Sequence, residues 1–407
     1  MLKKLISTQI TNALTVFRQT HVSPSFERLI QVPEKKINVS FQYNDKIYNG
    51  FRIQYNSLLG PYKGGIRMST IVDEDECIAL SFWMTIKTAL FNLPYGGGKG
   101  GIIADLQHLP KKDQEGICRA YVKAIHRDIG PNTDIPAPDL GSNSEMMDWM
   151  NDEYKKLTGE KSNGTFTGKT IEGGGSLGRT EATGYGVSYV TQYYVKKYMN
   201  EQGSYILQGF GNVGSHTALF MNKMLPKYKL LAVGDHTGYY YNKNGFDINY
   251  LFEHNKKNKS LNGINCDNKI NKSEFFSIEC DIVIPSALEL EVTKEIADSL
   301  KCKLVVEGAN GPLSTEADMI LNQKNITLIP DILANAGGVI VSYLEWYQNV
   351  NNVKYTYDEV LSKLDERLLN KMDEIYGKGG VMTDKRTECY VSSFKNLYKA
   401  MPQEKLY

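Results

Sequence analysis

The sequence lacks any run of about 18 apolar residues, the length a helix needs to cross a bilayer, so no membrane span is expected. It also lacks an excess of either charge. Against 47 basic residues stand 46 acidic ones, a formal net charge of +1, and nothing in that balance favours nucleic acid or an anionic membrane as a partner. Cysteine is sparse, six residues with no Cys-x-x-Cys, and the six histidines form no His-x-x-x-His pair. No metal site is therefore expected, and the chain reads as one of a reducing compartment, the cytoplasm. Acidic residues are missing from the first 26 positions, where Lys3, Lys4 and Arg18 weakly imitate a transit peptide. Against that, Leu2, Leu5, Ile6, Ile10, Leu14 and Phe17 recur at helical spacing, and a structural helix is the better reading. With these classes set aside, 407 residues suggest two or three domains of about 100 to 200 residues each, acting on a small molecule.

What is present centres on residues 85–101, TIKTALFNLPYGGGKGG. Lys87 falls late in an apolar helical run and Lys99 stands among five glycines, two places where lysine is unusual. Glycine lets backbone approach a ligand closely, so Lys99 reads as presented to something small. Desolvated near a second cation, such a lysine should have a lowered pKa and serve in proton transfer. A phosphate loop is excluded because Gly100, not Ser or Thr, follows Lys99. The alternative is a flexible surface turn with a solvated lysine.

Upstream, Ile37, Val39 and Phe41 alternate, Asn44-Asp45 supplies a turn, and Phe51, Ile53 and Tyr55 alternate again, predicting a hairpin. It leads to GPYKGGIR (60–67), a second glycine-framed cation, Lys63. Asp73 to Glu76 open the helix that carries Lys87, placing negative charge at its positive end. A mixed helical pattern covers 113–130. Residues 134–141, DIPAPDLG, are too proline-rich for a helix. Helix capping is the default for Asp134, whereas Asp139 is read as catalytic because it would complement the lysines.

After a glycine-rich hinge or linker at 173–179 the pattern becomes short apolar strands alternating with helices, the mark of a parallel sheet. The strand Tyr205-Ile206-Leu207 runs into Gly209-Phe210-Gly211-Asn212-Val213-Gly214 and then a helix, and Asp235 ends the next strand. Alone G-x-G-x-x-G is weak; between a strand and a helix, with an acid at the second strand end, it predicts a Rossmann-type dinucleotide site. Further strands at 281–284, 304–306 and 327–329 end near Ser286-Ala287, Asn310 and Asn335. Asparagine beside glycine is usually a turn former, but two at successive strand ends point to the cofactor. The Asn- and Lys-rich stretch 242–271 reads as a solvated excursion, and Val360, Leu364, Leu368, Met372 and Ile375 as a core-facing helical stripe.

Taken together, GPYKGGIR, LPYGGGKGG (93–101), DIPAPDLG, GGSLGRTEATGYG (174–186), GFGNVGS (209–215), VEGANGP (306–312) and ILANAGGVIVSYLEW (332–346) closely resemble the short, hexameric glutamate dehydrogenases of the Glu/Leu/Phe/Val dehydrogenase family. The distance from Met1 to the first motif fits mature relatives and implies no removable leader. The resemblance implies that Lys99 is the catalytic lysine, polarising the substrate and activating water. Asp139 would shuttle protons at the nitrogen, Lys87 would hold the α-carboxylate, and Lys63 and Ser342 the side-chain carboxylate, with Ala137 and Val339 beside the substrate. Thr183 and Asn212 would hold the nicotinamide carboxamide, with Asn310 and Asn335 nearby, and Gly209, Gly211, Val213, Gly214, Asp235, Ser286 and Ala287 would hold the rest of the cofactor.

The expected architecture is α/β with two domains separated by a cleft. Residues 1–180 plus about 386–407 would form the substrate and oligomerisation domain, and 181–385 the Rossmann domain. The expected reaction is reversible oxidative deamination of glutamate with NAD or NADP, by a homohexamer. Asp235, as a ribose hydroxyl partner, puts NAD ahead. Two rivals are the same chemistry on leucine, valine or phenylalanine, against which Lys63 argues, and a catalytically silent nucleotide-binding scaffold, against which Lys99 and Asp139 argue.

Overall fold

Alternation around Asn44-Asp45 produces an antiparallel hairpin, β1 (Lys35–Tyr43) and β2 (Lys46–Asn56), with Asn44 in the left-handed conformation that asparagine tolerates (φ 51°). The computed structural model describes residues 2–21, 23–377 and 384–402, and side chains from residue 5 onward. The side chains of Leu2, Lys3 and Lys4, and residues 403–407, lie outside the described residues, and so do the expectations placed on them. The chain divides into two units: Met1–Arg179 with Val339–Val360 and Tyr390–Tyr407, and Thr180–Gly338 with Leu361–Cys389.

In the first unit, β3 (Tyr62–Met68), β4 (Gly97–Ile102) and β5 (Asp134–Pro138) join the hairpin in the order β1-β2-β4-β3-β5. β4 is antiparallel to β2, and β3 is parallel to both β4 and β5. The proline-rich segment is thus an edge strand, where a missing N–H costs no ladder bond. Asp134 is not a helix cap. It is fully buried against Arg52, whose Nε donates to Oδ2 at 2.8 Å, while Gln54 Nε2 donates at 2.9 Å. A buried carboxylate needs such partners, so the sheet interior claimed it. Asn143 caps the following helix, Ser144–Thr158, by accepting from the Met146 N–H at 3.0 Å. The helix Glu74–Leu90 starts as expected, with Asp73 accepting from the Glu76 N–H at 2.7 Å. Leu5, Ile6, Leu14 and Phe17 of the first helix, Leu2–Phe17, are buried, in keeping with a structural helix.

In the second unit β6 (Gly203–Gln208), β7 (Tyr228–Asp235), β8 (Gly238–Tyr241), β9 (Asn268–Ile270), β10 (Ile282–Pro285), β11 (Leu304–Val306) and β12 (Thr327–Ile329) form one sheet, ordered β12-β11-β10-β6-β7-β8-β9. The strands from β12 to β7 are parallel, and β8 and β9 extend the sheet antiparallel. The excursion at 242–271 is more ordered than its composition suggests. It holds the helix Ile248–Asn258, capped by Asp247 accepting from the Tyr250 N–H at 3.1 Å, and the edge strand β9. Only Ile248 and Leu251 of that helix are buried, which is why no period shows in the sequence. Val360, Leu364, Leu368, Met372 and Ile375 of the helix Tyr357–Tyr376 are buried as expected. Among the described residues no helix is long and apolar enough to cross a membrane.

Candidate active site

The glycines around Lys99 belong to a packed strand, not a turn. A Cβ at Gly97 would sit 2.0 Å from Thr85 Oγ1, and one at Gly101 would sit 3.2 Å from Cys77 Sγ. The missing side chains let the helix Glu74–Leu90 lie directly on β4, with Lys99 between the two contacts. Lys87 lies two residues beyond Thr85 on that helix and is buried, 8% exposed.

Lys99 Nζ donates to Asp139 Oδ2, so the proposed catalytic lysine and acid are joined directly. Gly65 of β3 opens the way, because a Cβ there would be 2.8 Å from Asp139 Cβ. Arg67, two residues on and on the same strand face, donates from Nε to the same carboxylate oxygen at 3.2 Å, and its Nη1 donates to Glu76 Oε1 at 2.6 Å. Burial pushes the Asp139 carboxyl up, but Lys99 and Arg67 together outweigh it and hold its pKa below the ordinary value. Sequence reasoning passed over Arg67, although the spacing Lys63, Gly65, Arg67 on one strand was the signal.

Lys63 is 1% exposed, and among the described residues no hydrogen bond or ion pair holds its ammonium. Burial, with Arg179 and Arg52 adding to it, drives its pKa well below the ordinary lysine value. Arg179 was also passed over; its Nε is buried without a hydrogen-bond partner. Glu345 faces both cations electrostatically and is itself held by Lys169, Nζ to Oε1 at 2.8 Å, and by the Gly168 N–H at 2.8 Å. One turn earlier on the helix Gly337–Asn351, Ser342 shares a 2.7 Å hydrogen bond with Thr167. Ala137 and Val339, of the same unit, are buried at 6% and 9% exposure. A buried ammonium without a partner of its own, beside a partly buried guanidinium, is costly unless an anion is meant to reach it.

In the second unit a cavity of about 780 Å³ opens beside the glycine turn. Gly209 takes the turn at φ 90°, Gly211 faces open space with nothing within 4 Å of a would-be Cβ, and a Cβ at Gly214 would lie 1.9 Å from the Gly209 carbonyl oxygen. These are the three glycine roles of a dinucleotide turn: the bend, the approach of the pyrophosphate, and helix-to-strand packing. The helix Asn212–Met224 has no side-chain cap at Gly211, which leaves its first N–H groups for an anion. Ser286 Oγ and Gln208 Oε1 are buried at the cavity without hydrogen-bond partners, and Ala287 and Asp235 also line it. The residues therefore fit a nicotinamide dinucleotide. Asn335 Nδ2 donates to Asn310 Oδ1 at 2.9 Å, so the two asparagines meet. Asn212 uses its amide on the Thr180 carbonyl at 2.8 Å, Thr183 sits in the first turn of the helix Ala182–Tyr198, and Val213 is half-buried.

This second unit is a doubly wound sheet of the dinucleotide-binding class. A family model described as Glutamate/Leucine/Phenylalanine/Valine dehydrogenase matches residues 174–404, and one described as Glu/Leu/Phe/Val dehydrogenase, dimerisation domain, matches 33–156. The NAD-specific glutamate dehydrogenase of Clostridioides difficile is 40% identical, with 98% of this chain and 96% of the relative covered. The NADP-specific enzyme of Saccharolobus shibatae is 43% identical over 84% of this chain and 82% of its own. The structure of hetero-hexameric glutamate dehydrogenase from Thermus thermophilus superimposes with a TM-score of 0.91 at 28% identity, covering 100% of this chain and 97% of that one. The chain belongs to the Glu/Leu/Phe/Val dehydrogenase family.

Proposed function

We propose that the protein is an NAD(P)-dependent glutamate dehydrogenase. It converts L-glutamate, NAD(P)⁺ and water reversibly into 2-oxoglutarate, ammonium, NAD(P)H and a proton. The observation that carries the choice of substrate is Lys63, a fully buried ammonium with no partner of its own, beside Arg179. An apolar amino acid would leave Lys63 and Arg179 without a hydrogen-bonding anion, whereas a side-chain carboxylate would satisfy them through charge-assisted hydrogen bonds. Ser342, held by Thr167, offers that carboxylate a hydroxyl.

Lys87 takes the α-carboxylate. Asp139, kept ionised by Lys99 and Arg67, accepts the proton of the α-ammonium, which leaves the nitrogen lone pair free to form a C=N bond. A bound nicotinamide would supply the acceptor for the hydride that leaves the α-carbon. Lys99 then orients water on the iminium carbon and relays to solvent the proton that water loses as the C–O bond forms; Asp139 returns its proton to the nitrogen, and ammonia leaves as the C=O bond closes. Thr183 and Asn212 would hold the nicotinamide end, with Asn310 and Asn335 nearby, and Gly211 with the following helix terminus would hold the pyrophosphate. The residues 1–180 and 386–407 act as substrate domain and 181–385 as cofactor domain. The protein works in the cytoplasm, which its six free thiols suit, as a homohexamer.

The test follows nicotinamide absorbance with glutamate and with leucine. Wild-type protein turns over glutamate; Lys63→Leu loses about 2 kcal/mol or more of transition-state binding for glutamate, roughly 30-fold in kcat/KM, and gains on leucine. Equal rates on the two amino acids in the wild type would sink the assignment.

A further inference from the structure

We propose that the adenosine end of the cavity is built for a 2′-phosphorylated dinucleotide, with Lys256 and Lys259 as counter-charges and Asp235 as the staple that presents them. This rests on the dinucleotide reading above.

An acid at the end of the second strand ordinarily accepts the ribose hydroxyls. In this protein Asp235 is occupied. Oδ1 accepts from the Thr237 N–H at 2.8 Å and from Thr237 Oγ1 at 2.5 Å, and Oδ2 accepts from the Leu261 N–H at 2.6 Å. A carboxylate offers about four acceptor sites, so three are filled, and the side chain is only 7% exposed. Receiving two hydroxyls would require it to release the chain it holds.

What it holds is the turn that ends the helix Ile248–Asn258. Lys259 takes a left-handed conformation there (φ 55°), with its N–H on the Asn255 carbonyl at 2.8 Å. Asn255 Nδ2 in turn donates to the Phe210 carbonyl at 3.0 Å, which ties the helix end to the glycine turn. Lys256 and Lys259 both line the cavity, and among the described residues neither ammonium has a hydrogen-bond or ion-pair partner. The other acid on the wall, Glu291, is taken by Lys272 at 2.5 Å and Gln208 Nε2 at 2.7 Å. His236 is exposed on the same wall, with Nδ1 3.9 Å from Asp235 Oδ2. The wall therefore offers two uncommitted positive charges and no uncommitted negative one. That is the electrostatics of a phosphate subsite; a wall that selects an unphosphorylated ribose needs a free acid.

Calorimetric titration of the full chain with 2′,5′-ADP and with 5′-ADP separates the possibilities without relying on turnover. The 2′-phosphate compound is expected to bind about tenfold tighter, the worth of one charge-assisted hydrogen bond. In the Lys256→Ser/Lys259→Ser double variant, whose changes are at exposed positions, that advantage should fall below about threefold while 5′-ADP binds as before. If 5′-ADP binds the wild type as tightly as 2′,5′-ADP, the proposal is overturned and the dinucleotide reading survives. Equal weakening of both ligands in the double variant also overturns it, by assigning the lysines to the pyrophosphate. Binding of neither ligand overturns both readings.

Discussion

The residue that sets the chemistry of Asp139 is Arg67. Lys99 and Arg67 meet on one carboxylate oxygen, and Glu76 draws the guanidinium from its other side. A depressed carboxyl pKa keeps the base ionised, and the activity it supports is lost only as pH falls through that depressed value. Removing the Arg67 charge raises the value, so Arg67→Gln should move the acid limb of the kcat/KM profile to higher pH. An unmoved limb, with kcat merely lowered at every pH, would reduce Arg67 to a structural role. Lys63 was legible in the sequence because a lysine framed by glycines is conspicuous. Arg179 was not legible in the same way, since nothing in the sequence shows that its Nε is buried without a partner.

Among the elements, the helix Lys385–Ala400 begins on the second unit through Arg386, whose guanidinium donates to Glu307 twice at 2.8 Å, to Asp318 at 2.5 Å and to Asp331 at 3.2 Å. One cation faces three carboxylates, and Glu307 and Asp331 flank the strand-end loop that carries Asn310. Burial pushes Glu307 up to about 7 and outweighs Arg386; Asp331 adds to the rise. A raised carboxyl pKa gives stability that is fully present below the ordinary value of about 4.3 and lost as pH rises through the folded value. Thermal midpoints are therefore expected to decline as pH rises from about 5 to about 7, with a shallower decline in Glu307→Gln even if that variant starts lower. An identical slope in the two proteins would remove Glu307 as the cause. This cluster was invisible beforehand because its members are spread from Glu307 to Arg386 along the chain.

At the scale of the whole molecule, light scattering on the purified protein is expected to give six copies of the 45.9 kDa chain. A mass of one or two copies would overturn the proposed hexamer. The hairpin, the glycine turn, the parallel strands of the second unit and the glycine-framed lysines were open to reading from local pattern, because period, caps and turn chemistry act over a few neighbouring residues, whereas Ser342 and Thr183 came only with the family resemblance. Three matters were decided only in three dimensions. The glycines flanking Lys99 serve helix-on-strand packing, Asp134 is an ion-pair partner instead of a cap, and the carboxylate of Asp235 is already bonded to Thr237 and Leu261. Each depends on which distant backbone or side chain arrives beside a residue. Local composition carries no record of that, because close packing and buried charge pairing are set by the fold as a whole.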